Sequence, residues 1–189
     1  KKLWNLELFS DVALYYTDVR NDSIFLELNI KERPTLDEVT FYGIKKGRTE
    51  SIIEDTDLKK GKKITESLIA NTINFLENKY KQKGYRNAKT FIATAADTSG
   101  VNTQDLIVNV KKGKKVKIGE ISFKGAEKLK TSLLEKALKN TKKKKIYRFW
   151  KKSKYIEDDF EEDLVALRDA YAEKGYRDAR IISDSTYSI

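Results

Sequence analysis

A ten-residue phrase occurs twice in this sequence and decides how the rest of the chain is divided. YKQKGYRNAK spans Tyr80–Lys89 and YAEKGYRDAR spans Tyr171–Arg180, with identical residues at six of the ten positions. A second phrase, EVTFYG at Glu38–Gly43, returns as EISFKG at Glu120–Gly125. The two phrases return after 91 and 82 positions, so the chain contains an internal repeat whose second copy has nine additional residues. We place these at KKKKIYRFWKKSKY, Lys142–Tyr155.

The composition favours small binding modules over an enzyme. The chain of 189 residues has no Cys, His or Met, which removes thiol nucleophiles, Cys or His metal ligands and the commonest general base. We therefore expect no enzyme activity, no catalytic residues, no metal and no cofactor. No run of about 18 apolar residues occurs that could span a bilayer as a helix. The formal net charge of +10 predicts acidic partners, with a solvated lysine-rich surface as the alternative.

Hydrophobic spacing in the middle of the chain predicts the order β-α-α-β-β. Val39 and Phe41 alternate before Gly43, which is typical of a short strand, and a short helix is predicted at about Thr49–Glu54. From Ile64 the apolar residues recur every three or four positions, which predicts a long amphipathic helix with Thr65 as its cap. Two hairpin strands follow, at about residues 87–97 and 105–111.

The repeated KGYR phrase comes where the long helix must end. Gly84 and Gly175 are placed to adopt the left-handed conformation of a helix C-terminus, and the following tyrosine can fold back on the last turn. We interpret the phrase as a stop signal with a packing tyrosine. The alternative interpretation is a binding motif.

The flanking segments predict parts of two further modules. After the strand at Ile121 and Phe123, the second copy repeats the two helices and starts a strand at about residues 178–188. The start of the chain has strands at about 12–19 and 24–30. The predicted fold class is α+β, with tandem β-α-α-β-β modules that each pack a three-stranded mixed sheet on two helices. We expect the end of one module at 1–34, a complete module at 35–115, and a module without its last strand at 116–189.

The boundary phrases resemble those of a known family. IKERPTLDEVTFYG, Ile30–Gly43, has a strand ending in Glu-Arg-Pro before a strand ending in an aromatic residue and Gly. It is similar to the POTRA (polypeptide-transport-associated) repeats of BamA-type outer-membrane assembly proteins. LWNLELFSDVALYY, Leu3–Tyr16, and both KGYR phrases look like the helix-to-strand junctions of such repeats, so the resemblance covers essentially the whole chain. It implies a periplasmic arm ahead of a membrane β-barrel, in an assembly factor or a related translocation protein.

The resemblance also implies partners and a binding surface. Its members receive unfolded outer-membrane proteins and dock accessory lipoproteins. In that family the strand just after the long helix is the edge of the sheet, and an edge strand can accept an extended client through main-chain hydrogen bonds. The expected client-binding residues are therefore Ala88, Lys89, Thr90, Phe91, Ile92 and Ala93, and Ala179, Arg180, Ile181, Ile182 and Ser183. The alternative is an ordinary edge that binds no client.

The additional residues of the second copy predict a basic and aromatic loop. Lysine and arginine residues alternate there with Tyr, Phe and Trp, a pattern that suits phosphate-bearing surfaces such as anionic lipid, lipopolysaccharide or nucleic acid. The candidate residues are Lys144, Tyr147, Arg148, Phe149, Trp150 and Lys151. A solvated loop whose aromatic side chains cover a module face is the alternative.

Two functions follow from these observations. The leading hypothesis is a periplasmic scaffold for outer-membrane protein assembly, and the alternative is a basic nucleic-acid-binding α/β module, for which nucleic acid is the less favoured partner. In the last module we expect the open sheet position to be filled by a strand of another chain or by sequence beyond Ile189.

Overall fold

The computed structural model describes residues 6–20, 23–96, 101–143 and 154–187. Its strands are β1 (Phe9–Arg20), β2 (Ser23–Glu32), β3 (Thr35–Tyr42), β4 (Lys89–Ala96) and β5 (Thr103–Lys111). Its helices are α1 (Thr49–Thr56), α2 (Glu66–Lys81), α3 (Thr131–Ala137) and α4 (Glu157–Glu173), with a short 3-10 turn at Lys46–Arg48. The chain divides into two compact units, residues 1–77 with 89–111 and residues 78–88 with 112–189.

The first unit begins with an antiparallel hairpin of β1 and β2. Val12 is opposite Ile30, Leu14 is opposite Leu28, and Tyr16 is opposite Leu26. Because side chains alternate between the two faces of a strand, these six apolar residues share one face of the hairpin. The other face is mixed, since Glu27 is opposite Tyr15 and Asn29 is opposite Ala13. The hairpin therefore has one apolar and one mixed face.

The remainder of the first unit is a three-stranded mixed sheet. The strand order is β3-β5-β4, in which β3 runs parallel and β4 runs antiparallel to the central strand β5. The expected order, with one hairpin strand at the centre and the other at an edge, is confirmed. Since β3 and β4 do not pair with each other, β5 holds the sheet together.

One face of this sheet carries the hydrophobic core of the unit. Leu36 of β3, Leu106 of β5, Leu58 and Ile64 form a buried cluster, against which Leu68 and Ile69 of α2 pack. The predicted cap is present, since the Thr65 hydroxyl oxygen accepts the backbone N–H of Leu68 at 3.0 Å. The long helix thus covers the inner face of the sheet, as its apolar spacing predicts.

Both KGYR phrases end their helix in the predicted way. Gly84 has φ +86° and Gly175 has φ +89°, the left-handed conformation that a side chain disfavours. The N–H of Tyr85 donates to the carbonyl of Tyr80 at 3.1 Å, and the two rings meet edge to face at 6.0 Å. The stop-signal interpretation is confirmed for both copies.

The expected strands of the last module are absent from the part of the chain that the structure describes. Residues 120–124 and 178–187 have no ladder, so Ala179, Arg180, Ile181, Ile182 and Ser183 do not form the predicted edge strand. The physical reason lies in the strand order. In the complete repeat, β5 is the only strand with which each outer strand forms a ladder, and the residues equivalent to β5 would be numbered above 189. Without that central strand, the two segments have no main-chain partner.

Candidate protein-binding site

The outer edge of β4 offers main-chain groups that the sheet does not use. The N–H of Thr90 points away from β5, because it donates to the Glu77 carboxylate at 3.0 Å. In an antiparallel ladder successive residues direct their N–H and C=O groups to opposite sides. Ile92 and Thr94, two and four positions further along, therefore present both groups at the outer edge of β4.

The other edge of the sheet, formed by β3, is already hydrogen-bonded at the start of that strand to the segment before α2. The N–H of Leu36 in β3 donates to the carbonyl of Lys62 at 2.8 Å, and the carbonyl of Leu36 accepts the N–H of Gly61 at 2.7 Å. The N–H of Ile64 donates to the carbonyl of Pro34 at 2.9 Å. The segment before α2 thus occupies the β3 edge, which leaves the β4 edge as the more accessible one for an added strand.

Glu77 limits where an added strand can begin. Its side chain is largely buried, accepts the N–H of Thr90 and lies 3.5 Å from the Lys89 ammonium. The first outward N–H of β4 is thereby occupied. Sequence reasoning missed this residue, although its position contains a signal: Glu77 comes four residues after Ile73 and three before Tyr80, on the apolar stripe of α2.

The six residues predicted along β4 lie together, but they differ in burial and in the contacts that they make. Ala88 precedes the strand and is buried, and its N–H donates to the carbonyl of Tyr85 at 3.0 Å. The side chain of Thr90 is buried, and that of Ile92 is half-buried and packs on the core. Lys89, Phe91 and Ala93 are exposed on the outer sheet face. Side-chain contacts with a partner are therefore available mainly through these last three residues.

An aromatic patch lies on the outer face of the same sheet. Tyr42 of β3 and Phe91 of β4 are each opposite Asn109 of β5, so that the three residues form one row across the sheet. Both rings are more than half exposed, and the Lys111 ammonium lies 5.4 Å from the centre of the Phe91 ring. This cation–π contact places a positive charge beside the open edge.

The hairpin β1–β2 exposes a face that the complete repeat buries. The sequence FLELNIK at residues 25–31 of β2 aligns with DLIVNVK at residues 105–111 of β5, which places Leu26 at the position of Leu106. Leu26 is 60% exposed, whereas Leu106 is fully buried. Likewise, Leu28 and Ile30 are exposed, whereas the equivalent Val108 and Val110 are buried. In the described part of the chain, the apolar face of the hairpin is thus equivalent to the core face of the complete repeat but remains exposed.

In the second unit, the first KGYR phrase makes contacts beyond its own turn. The carbonyl of Gly84 accepts the N–H of Val116 at 2.9 Å, and the carbonyl of Val116 accepts the N–H of Tyr155 at 3.0 Å. The Arg86 guanidinium lies 5.1 Å from the centre of the Tyr155 ring. Burial raises the pKa of the Tyr155 hydroxyl, an effect that a hydrogen bond with Thr186 and the charge of Arg86 partly oppose. The phrase therefore ends a helix and also forms a contact site.

The predicted basic and aromatic loop falls outside the described residues. Lys144, Tyr147, Arg148, Phe149, Trp150 and Lys151 are all among the residues without a described structure. The described residues on either side are anchored, since the N–H of Thr141 donates to the Asp163 carboxylate and the N–H of Tyr155 donates to Val116.

Two further properties concern only the described ranges. No helix there combines the length and apolarity needed to cross a membrane. Across residues 6–20, 23–96, 101–143 and 154–187, no cluster of three or more Asp, Glu, His or Cys side chains could hold a metal ion.

Together, the mixed sheet, the two helices of the repeat and its open β4 edge define a tandem α+β repeat protein. The chain belongs to the POTRA family. The family model, described as Surface antigen variable number repeat, matches residues 34–113 and again residues 116–188.

Two proteins similar in sequence to this chain are named as outer membrane protein assembly factors. The chain is 28% identical over 183 residues to a candidate outer membrane protein assembly factor of Treponema pallidum (strain Nichols), covering 96% of this chain and 21% of the relative. It is 23% identical over 181 residues to the outer membrane protein assembly factor BamA of Nitratidesulfovibrio vulgaris, covering 96% and 23%. The chain thus spans about a fifth of the length of these curated relatives.

The chain also aligns with solved structures of similar repeats. POTRA3-5 of Haemophilus influenzae BamA aligns with a TM-score of 0.46 at 14% identity, covering 89% of this chain and 61% of that chain. The N-terminal domain of Omp85 from Thermosynechococcus elongatus aligns with a TM-score of 0.45 at 15% identity, covering 92% and 68%.

Proposed function

We propose that this chain is part of the periplasmic receiver region of a machine that assembles outer-membrane β-barrel proteins. Family membership and the names of the relatives support this placement. In this proposal the repeats act as a binding scaffold without enzyme chemistry or a cofactor. Extended segments of unfolded outer-membrane proteins bind by adding a strand to the outer edge of β4.

The observation that carries the proposal is the open main chain at Ile92 and Thr94. An added strand would form hydrogen bonds with backbone groups alone, so that many client sequences could be accepted. Pairing would begin at Ile92, because Glu77 already occupies the N–H of Thr90. The exposed Phe91 ring and the adjacent Ala93 would favour clients with apolar side chains on one face.

Thr94 offers a sharp test of this mode of binding. Its side chain is exposed and its N–H faces away from β5, so Thr94→Pro removes an outward donor while leaving the ladder to β5 intact. The probe is a synthetic peptide of about ten alternating apolar and polar residues, the length of one membrane-spanning β-strand. Binding is measured by NMR titration of the backbone amides.

We expect the peptide to shift the amides of Ile92 and Thr94, and Thr94→Pro to weaken its binding about tenfold or more. The matched variant Thr94→Ala keeps the N–H and should bind as the parent chain does. Equal binding by the proline variant, or shifts confined to β1 and β2, would contradict strand addition at β4.

Two partner classes form separate parts of the proposal. Accessory assembly lipoproteins would dock on the repeats, for which the aromatic patch of Tyr42 and Phe91 is the candidate surface.

The basic and aromatic loop would bind an anionic lipid or lipopolysaccharide surface. Replacing Arg148, Lys151 and Lys152 with Gln should reduce sedimentation of the chain with vesicles of anionic phospholipid, with neutral vesicles as control. Equal or tighter retention on DNA at the same salt concentration would favour the nucleic-acid alternative.

We also propose that the functional modules are residues 1–34, 35–115 and 116–189, with the first and last incomplete in this chain. Residues 35–115 expressed alone should then fold, with the α2 and β5 amides protected from hydrogen exchange as they are in the full chain. Loss of that protection in the isolated segment would contradict these boundaries.

A further inference from the structure

Two tyrosines at the first KGYR turn hold three lysine side chains against their rings. The ammonium groups of Lys83 and Lys112 lie 5.4 Å and 5.0 Å from the centre of the Tyr80 ring. The Lys115 ammonium lies 5.2 Å from the centre of the Tyr85 ring, and the centres of the two rings are 6.0 Å apart. Three positive charges therefore gather around one pair of rings.

The two segments that form this lysine cluster contain no acidic residue. Both belong to the second unit, as residues 78–88 and the start of residues 112–189. Residues 78–88 contain four Lys or Arg residues and residues 112–119 contain four lysines, without Asp or Glu in either segment. Among the described residues, Lys112 and Lys115 form no ion pair. The cluster therefore has a local excess of positive charge, which attracts anions.

The backbone fixes the second segment on the turn. The N–H of Val116 donates to the carbonyl of Gly84 at 2.9 Å. Gly113 has φ +66°, a conformation that lets the chain turn between Lys112 and Lys115. Both lysines thus come from a segment that is already in place, and their ammonium groups already contact the rings. This arrangement lowers the conformational entropy that would be lost when an anion binds.

We propose that Lys83, Lys112 and Lys115 form a binding site for an anion that carries two or more phosphate groups. An ammonium is a compact charge with three N–H donors, so that one in contact with a ring can still donate to phosphate oxygens. Three ammonium groups from two segments can serve more than one phosphate group. The same chemistry occurs in a soluble condensed phosphate and in a lipid headgroup with two phosphates. The site is distinct from β4, and the inference does not depend on client binding.

The first test uses sodium tripolyphosphate as the probe. It is titrated into the full chain and followed by the NMR signals of the backbone amides and of the lysine side chains. We expect the largest shifts at residues 83–85 and 112–116. The double variant Lys112→Gln with Lys115→Gln should weaken binding about tenfold or more, because two of the three ammonium donors are lost.

A matched double variant controls for the loss of charge. Lys45 and Lys46 are both exposed and, like the two cluster lysines, form no ion pair among the described residues. Their replacement with Gln removes the same charge and should change the affinity less than about twofold, since exposed charges that are far apart are screened by salt. Slow hydrogen exchange at the Val116 amide in both variants shows that the segment keeps its place. Equal loss of affinity in the two double variants would overturn the proposal.

Citrate separates recognition of phosphate from a general attraction of anions. It is a small tricarboxylate, so its charge is comparable to that of the probe but its oxygens belong to separate carboxyl groups. We expect citrate to bind more weakly and to leave the signals of residues 112–116 nearly unchanged at the concentration that saturates tripolyphosphate binding. Equal affinity for the two anions would overturn the assignment to phosphate.

Sedimentation with vesicles distinguishes the two sources of phosphate. Vesicles of diphosphatidylglycerol and phosphatidylcholine are compared with vesicles of phosphatidylcholine alone. If retention falls in the Lys112 and Lys115 variant and tripolyphosphate releases the parent chain, the phosphates belong to a lipid headgroup. If the variant keeps its retention but loses tripolyphosphate binding, the ligand is a soluble phosphate. The basic and aromatic loop is unchanged in both variants, so its own lipid binding does not affect the comparison.

Discussion

Asp163 on α4 accepts the backbone N–H of Thr141, so that a buried carboxylate on one helix holds the residues that follow α3. The same carboxylate accepts the N–H of Lys139 at 2.8 Å and that of Asn140 at 3.0 Å. Three successive backbone donors thus converge on one side chain. In the first copy the equivalent position of α2 is Thr72, whose hydroxyl donates to the carbonyl of Leu68. The carboxylate therefore accompanies the additional residues of the second copy and anchors their first end.

Replacing Asp163 with Asn should destabilise the second unit by about 2 kcal/mol, because an amide offers one acceptor oxygen and no charge to three backbone donors. Urea denaturation followed by the α4 amides measures the loss. Glu162→Gln is the matched control: Glu162 is exposed and contacts only the Asn140 side chain among these residues, so its change should stay within about 0.5 kcal/mol. Equal losses in the two variants would contradict the anchoring role.

Gly84 and Gly175 provide a matched pair, since both have positive φ but only Gly84 is in contact with a neighbour. Gly175→Ala should destabilise by about 1 kcal/mol, the strain of a side chain in the left-handed conformation. Gly84→Ala should lose at least about 1 kcal/mol more, because the new Cβ would approach Cβ of Lys154 to 2.9 Å. Thermal denaturation compares the two. Identical losses would mean that the first turn is as open in solution as the second.

The elements of the complete repeat could be predicted from sequence because each depends on local patterns. The three-and-four spacing from Ile64, the Thr65 cap and the left-handed glycine Gly84 fix α2 without any tertiary information. The contacts of the KGYR phrase could not be predicted in this way. They join Gly84 to Val116 and Arg86 to Tyr155, residues far apart in the sequence whose proximity depends on tertiary packing.

The last module shows the opposite case, in which a correct local pattern did not produce the predicted element. Ile181 and Ile182 have the β-branched character of a strand, but a strand needs a hydrogen-bonded neighbour. Ile182 is almost fully exposed in the structure. For the candidate site, the residue pattern left open which hairpin strand forms the edge, and the family resemblance implied β4, which is the edge strand in the structure. The bond of Glu77 to Thr90 joins a helix to a strand and could not be predicted from either.

Replacing Gly43 tests how closely the end of β3 packs against the central strand β5. An ideal Cβ on Gly43 would lie 2.1 Å from the carbonyl oxygen of Val110, and Gly43 has φ +77°. Gly43→Ala should therefore force β3 away from β5 and destabilise the first unit by about 3 kcal/mol or more. The equivalent Gly125 has φ +70° and no atom within 4 Å, so Gly125→Ala should lose only about 1 kcal/mol. Comparable losses in urea denaturation would contradict the close approach of the two strands.

Tyr155 should make the stability of the second unit dependent on alkaline pH. Burial raises its pKa, so the tyrosine ionises in the unfolded chain, at about pH 10, before it ionises in the folded chain. Its contribution is therefore complete below that pH and is lost as the pH rises through the folded pKa, by at most about 1.4 kcal/mol per pH unit. The measurement is the free energy of unfolding of the parent chain and of Tyr155→Phe between pH 8 and 11. All other titrating groups are common to both chains, so their effects largely cancel in the difference. We expect the parent chain to lose stability relative to the variant above about pH 10, and a difference that stays constant across this range would show that the hydroxyl is not buried in solution.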